Sequence, residues 1–251
     1  MAQYFKTGFF LLLVGLITAC KSPSLLVSTP YHTNFLVDST VSSDPTIEAF
    51  TRSYKLTYDS LMNDVIAISE QDITKSFDWK DNLVGMLFGD ALLDQSRKLD
   101  SDVVFSFGTK GGVRIGLPKG PITLGHIYEL MPFENTITIL TLSAQQVEEL
   151  ALYILQANGQ PVAGLEIQGT PTKVEKIIIG GNKIDAGKTY KMATYDYIAN
   201  GGDQVPTMNE PLSRVDYPVK LRDMLISYLK EQTERNQTIK VGNHERIQIF
   251  K

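Results

Sequence analysis

A layered α/β sandwich of mixed sheets and helices is the fold this sequence predicts, and three observations predict it. Short β-branched, apolar runs recur from residue 65 to residue 250, each the length of a strand rather than a helix. Between them, 81–93, 143–158 and 218–229 carry apolar residues at helical spacing. The two kinds of segment do not alternate strictly as strand, helix, strand, which argues against a purely parallel sheet. With 43% apolar and 21% charged residues in 251, the chain can bury one sizeable core.

The first residues stand outside that fold. Lys6 is the only charge before an apolar run over 9–19, which ends at Ile17-Thr18-Ala19-Cys20. The run is too short to span a bilayer and matches the central region of a secretory signal. Cys20 is the only cysteine and sits where a bacterial lipobox places the residue that is lipidated after cleavage. The expected organisation is therefore a signal peptide at 1–19, a lipidated Cys20 with a flexible tether over 20–45, and one domain over 46–251. A cell-envelope location follows, with the chain held on a membrane by lipid rather than by a spanning helix. A lone cysteine also rules out an internal disulfide.

Within the domain, Ile47, Phe50, Tyr54 and Leu61 give a helix over 46–62. The apolar run at 65–68 and the one at 102–107 read as buried strands. Leu83, Met86, Leu87 and Leu92 form the inward stripe of a helix over 81–93. Residues 136–142 alternate with period two and are rich in Thr and Ile, a strand signature. Ser143 then starts a helix, with Gln146 three residues later completing a capping box. Val147, Leu150, Ala151 and Ile154 line one face, and Asn158-Gly159 stops it. Strands at 174–179 and 190–197 flank Gly180-Gly181-Asn182, a plausible hairpin. Pro218 is placed at a helix start leading to Leu221, Leu225 and Leu229, and 247–250 is a closing strand. No repeat and no second domain are visible.

Removing 1–19 leaves 23 basic against 28 acidic residues, a net charge of −5. That surface does not favour nucleic-acid backbones, and no basic run overrides it. Several catalytic classes are excluded as well: no Gly-x-Ser-x-Gly elbow and no phosphate-binding Gly-x-x-x-x-Gly-Lys-Ser/Thr occur. Gly242-Asn243-His244-Glu245 spells a motif of metallophosphoesterases. A dinuclear site, however, also needs an Asp-x-His and further histidine motifs. The three histidines, His32, His126 and His244, supply none, so the stretch reads as coincidence and the chain is expected to hold no metal.

Tyr195 to Asp203 reads Tyr-Asp-Tyr-Ile-Ala-Asn-Gly-Gly-Asp. The paired glycines permit backbone geometry closed to other residues and allow a ligand close to the main chain. Tyr197 offers a flat π-face and Asp203 an acceptor for hydroxyls, a pairing that suits a nucleoside. Upstream, Gly111-Gly112-Val113-Arg114, Gly120-Pro121-Ile122-Thr123 and Pro132-Phe133-Glu134-Asn135 precede this turn in order.

These four stretches together resemble the C-terminal, substrate-binding domain of the 5'-nucleotidase and UDP-sugar hydrolase family, over roughly residue 46 to the end. The resemblance implies the fold of that domain and a site for a nucleotide or nucleoside. Phe133 and Tyr197 match the two rings that hold the base, with Tyr where Phe is more usual. Asp203 matches the carboxylate for the ribose hydroxyls and Asn200 belongs to the same turn. Arg114 matches an arginine that reaches phosphate, and Lys80 falls where a second arginine is often found. Each also has a plain structural reading: Phe133 as a core plug, Arg114 in a surface ion pair, Asp203 as a turn residue. The sequence departs from the family at Thr109, at Leu83-Val84-Gly85-Met86 and at Gln204-Val205, losing several amides. In the family a separate metal-bearing domain performs the hydrolysis, so a hydrolytic role implies a separate metallophosphoesterase chain carrying the divalent metals. The alternatives are a non-catalytic lipoprotein that captures nucleosides and a scaffold that has lost its ligand.

Overall fold

The computed structural model describes residues 34–208, 210–242 and 245–250. The expected signal segment, Cys20, most of the expected tether, and Asn243 with His244 lie outside the described residues. The chain divides into two compact units, Met1–Glu48 and Ala49–Lys251. In the first, residues 34–44 form a turn and no strand, and helix α1 (Pro45–Met62) begins. The helix expected over 46–62 is thus present, but it buries no side chain.

The second unit holds three sheets. Strand β1 (Val65–Ser69) pairs antiparallel with β3 (Gly120–Thr123). A five-stranded sheet contains β2 (Val103–Phe107), β4 (Thr136–Ser143), β5 (Val162–Ala163), β9 (Thr189–Tyr195) and β10 (Ser213–Lys220), in the order β10-β4-β9-β2-β5. Only β2 and β9 run parallel in it. A four-stranded sheet contains β6 (Leu165–Thr170), β7 (Lys173–Ile179), β8 (Asn182–Lys183) and β11 (Ile247–Ile249), in the order β11-β6-β7-β8. Helix α4 (Ala144–Gln156) packs on strands of both larger sheets, while α2 (Leu83–Leu99) covers β2 and β5 and meets α6 (Leu221–Glu234). This is the layered, mixed-sheet α/β architecture that the sequence predicts. Short helices α3 (Leu124–Leu130) and α5 (Asp196–Ala199) complete it. No helix among the described residues is long and apolar enough to cross a membrane.

Local chemistry explains the elements that position the site. Ser143 accepts a hydrogen bond from the Gln146 N–H at 3.2 Å, and the Gln146 side chain accepts from the Ser143 N–H at 2.9 Å. This is the expected capping box, and it satisfies two backbone donors that a helix end otherwise leaves open. Thr123 and His126 build a second box at the start of α3, where His126 Nδ1 accepts from the Thr123 N–H at 3.1 Å. Val147, Leu150, Ala151 and Ile154 are all fully buried. Asn158 and Gly159 adopt left-handed φ values of 52° and 83° and end α4 as expected.

Three sequence expectations change. The hairpin at Gly180-Gly181 joins β7 to the two-residue β8, whereas the strand expected over 190–197 lies in the other sheet and stops at Tyr195. Its β-rich composition suits either sheet, and local pattern does not choose between partners. Tyr197 consequently sits on α5. Pro218 lies within β10 and not at a helix start, at a break in the pairing with β4 between Asp216 and Lys220. An edge strand tolerates a residue that lacks an N–H there. The helix expected over 81–93 begins after a 3₁₀ turn at Trp79–Asp81 and runs on to Leu99.

Candidate functional site: a cleft between two aromatic rings

Strands β2 and β9 run parallel, and β4 runs antiparallel between β9 and β10. The C-terminal ends of β2 and β9 and the start of β4 therefore share one end of the sheet. Ligand crevices of α/β proteins favour such an end. A cleft of about 300 Å³ opens there. Thr109, Gly111, Gly112 and Arg114 enter it from the segment after β2, and Phe133 and Asn135 from the turn before β4. Tyr195, Tyr197 and Asp203 close it from the end of β9 and the turn beyond.

Four of the six expected binding residues thus meet in one cleft: Phe133, Tyr197, Asp203 and Arg114. Phe133 is 37% exposed and Tyr197 47% exposed, so both rings present a face outward instead of plugging the core. The Arg114 guanidinium lies 5.7 Å from the centre of the Phe133 ring, within cation–π range. Among the described residues no carboxylate forms an ion pair with Arg114.

Tyr195 forms the floor. It is 1% exposed, its hydroxyl accepts from the Thr109 N–H at 3.3 Å, and it shares a 3.1 Å hydrogen bond with the Thr109 hydroxyl. Burial pushes its phenol up to about 12, because the ionised form would lose its water. Tyr197 lies nearly parallel to it, with ring centres 6.5 Å apart and planes 12° from parallel. The Cδ1–Cε1 side of the Tyr197 ring is set by the turn. A Cβ on Gly202 would sit 2.5 Å from Tyr197 Cε1 and 2.5 Å from its carbonyl oxygen, so only glycine fits. Gly201 at φ 86° and Asp203 at φ 53° hold the turn in left-handed geometry, open to glycine and tolerated by aspartate. That turn brings the Asp203 Oδ1 within 3.0 Å of the Tyr197 hydroxyl, which donates to it.

Phe133 has its own clamp. Arg222, 7% exposed on α6, lies 4.2 Å from the centre of the Tyr128 ring. It donates to the Met131 carbonyl at 3.4 Å and pairs with Glu134. The carbonyl and the carboxylate flank Pro132-Phe133, so one guanidinium ties down both ends of the turn that carries the ring. Lys220 also pairs with Glu134, and the hydrogen bonds from Lys220 and Arg222 hold its carboxyl below the usual range.

The other two expected residues lie elsewhere. Lys80 is exposed on the 3₁₀ turn, capped by Asp78, and lines a groove beside β11 with Ile247 and Phe250. Asn200 accepts from Arg214 Nη1 at 2.8 Å through its side chain and so ties the turn to β10. A different lysine stands near the cleft: Lys75 donates to the Arg114 carbonyl at 3.0 Å. Burial and the Arg114 charge lower its affinity for a proton. No motif marks Lys75 or Arg222. Tyr195 opens the stretch singled out in the sequence, but nothing in that stretch marks it as the floor of a cleft. Among the described residues no three His, Cys, Asp or Glu side chains converge to hold a metal ion.

Fold and cleft together define an α/β domain of mixed sheets that carries an aromatic-lined cleft at one end of its five-stranded sheet. The model of the 5'-nucleotidase, C-terminal domain, matches residues 65–210, and the chain belongs to that family. All four motif stretches fall within the match. The trifunctional nucleotide phosphoesterase protein YfkN of Bacillus subtilis is 28% identical over 163 residues, 56% of this chain and 11% of that protein. An apyrase of Tabanus yao is 27% identical over 162 residues, 56% of this chain and 28% of that protein. The crystal structure of a 5'-nucleotidase precursor from Thermus thermophilus superposes with a TM-score of 0.67 at 24% identity, covering 82% of this chain and 43% of that one. That likeness shows the fold. The chain spans less than half the length of each of these relatives.

Proposed function

We propose that this chain is the nucleotide-binding half of a split 5'-nucleotidase, acting in nucleotide breakdown with a separate metallophosphoesterase chain. The observation that carries the reading is one cleft lined by two partly exposed rings, an arginine that has no carboxylate partner among the described residues, and an aspartate. The base stacks on Phe133 and Tyr197, each contact worth about 1–3 kcal/mol. Asp203 accepts from the sugar, and Arg114 directs its planar fork of donors at phosphate. Binding displaces the guanidinium from the face of Phe133 towards the anion. In this reading the divalent metals and the hydrolytic step belong to the partner, and lipid on Cys20 holds the pair at the cell envelope.

Calorimetry of AMP, adenosine and UDP-glucose against the purified chain, beside Phe133→Ala, tests the binding role. AMP binding that weakens about tenfold or more with the substitution supports it. Turnover of AMP by this chain alone with added divalent metal contradicts the split arrangement. A second reading, a lipoprotein that captures nucleosides without hydrolysis, draws support from Lys80, which stands away from the cleft and leaves Arg114 without the expected second cation. Adenosine binding as tight as AMP, unchanged by Arg114→Ala, favours that reading.

A further inference from the structure

We propose that Tyr197 sets the sugar specificity of the cleft and makes it accept 2'-deoxyribonucleotides nearly as well as ribonucleotides. The inference rests on the nucleotide reading above and extends it to the class of sugar.

The carboxylate of Asp203 is already engaged. Its Oδ1 accepts the Tyr197 hydroxyl at 3.0 Å. A ribose offers two neighbouring hydroxyls, and a free carboxylate takes one on each oxygen. Among the described residues Oδ1 is the oxygen that is bonded, while Oδ2 lies towards the segment at Gly111, where even an added Cβ would stay 3.9 Å away. One sugar hydroxyl therefore finds a charged acceptor. The other must share Oδ1 with the Tyr197 hydroxyl or turn to the neutral phenol oxygen, and either bond is weaker than one to an unshared carboxylate oxygen.

The engagement is built in rather than incidental. Tyr197 is held by the parallel ring of Tyr195, by the Gly202 backbone pressed against it, and by its own N–H, which donates to Asp196 Oδ1 at 2.7 Å. The left-handed backbone of Asp203 fixes the other partner. A base arriving on the exposed face of Tyr197 does not need to move the ring, so the hydroxyl stays on Asp203 while the sugar docks. A phenylalanine at this position would keep the stack and free Oδ1.

The test is calorimetry of AMP and dAMP with the purified full chain and with Tyr197→Phe. The parent is expected to prefer AMP by no more than about threefold, because its second sugar hydroxyl gains only a shared or neutral acceptor. The Phe variant is expected to prefer AMP by about tenfold or more, the worth of a second hydrogen bond to a charged acceptor. The reading depends on the ratio, so a uniform loss of affinity with the ratio unchanged overturns it. A parent that already prefers AMP strongly, with Phe making no difference, overturns it while the nucleotide reading stands. If neither nucleotide binds, both fall together.

Discussion

Replacing Gly202 by alanine adds a single methyl group, and the clearances around it determine the consequence. Its Cβ would lie 2.5 Å from Tyr197 Cε1, 2.6 Å from Cδ1 and 2.5 Å from the Tyr197 carbonyl oxygen. Contacts this short are not tolerated, and one of the three atoms is backbone, so a side-chain rotation alone cannot relieve them. Either the ring leaves its parallel seat on Tyr195 or the turn opens. Overpacking of this kind costs about 1–3 kcal/mol. For a unit of roughly this size each kcal/mol lowers the melting temperature by about 2–4 °C. Gly202→Ala should therefore melt about 6 °C below the parent, and nucleotide affinity should fall about tenfold as a stacking face is lost. Gly111→Ala supplies the control within the same cleft. Its nearest neighbour would be Asp203 Oδ2 at 3.9 Å, an ordinary contact, so its stability should stay within about 0.5 kcal/mol of the parent. The assays are thermal unfolding by circular dichroism and calorimetric titration. A Gly202→Ala protein that melts and binds like the parent would show that Tyr197 is not seated on that glycine, and the argument for a rigid ring would fail.

Other outcomes follow from the same geometry. Tyr195 has its phenol raised from 10.0 to about 12 by burial. The folded state thus keeps a proton that the unfolded chain releases, and its full stability is present below pH 10. Between pH 10 and 12 it should lose about 2–3 kcal/mol, and Tyr195→Phe should flatten that part of a pH-dependent unfolding curve. Arg222→Met should leave the chain folded but free the Phe133 turn, read as weaker AMP binding that Arg222→Lys only partly restores, since lysine lacks the planar fork. Ser143→Ala removes one partner of a capping box and should cost about 1 kcal/mol in denaturant unfolding without changing AMP affinity.

Much of the cleft was legible because its chemistry is carried by contiguous stretches. Gly111 to Arg114, Phe133 to Asn135 and Asn200 to Asp203 each set side chains by local turn geometry, and their convergence follows from a shared end of the five-stranded sheet. The helix over 144–156 was readable for the same reason, since the capping box, the apolar face and the stop are all local. What failed depends on long-range pairing. Composition made the strand ending at Tyr195 recognisable, yet nothing in it distinguished a hairpin with β7 from a place between β2 and β4. Lys80 illustrates the limit at a single residue: its charge suits a phosphate, but the Asp78-capped turn directs it to another groove. Arg222 and Lys75 reach the site from distant points of the chain, through a cation–π contact and a backbone carbonyl that no short motif encodes.

Pro218 has a consequence beyond the placement of one element. β10 forms an edge of the five-stranded sheet, and a long, regular edge is a template on which another chain can add a strand. Pro218 has no N–H to contribute, and it falls where the ladder with β4 breaks between Asp216 and Lys220. Arg214 and Asp216 place charge on the same strand. An incoming strand would therefore meet an interrupted row of donors flanked by charges. The sheet that carries the cleft is thereby guarded against growing into an aggregate.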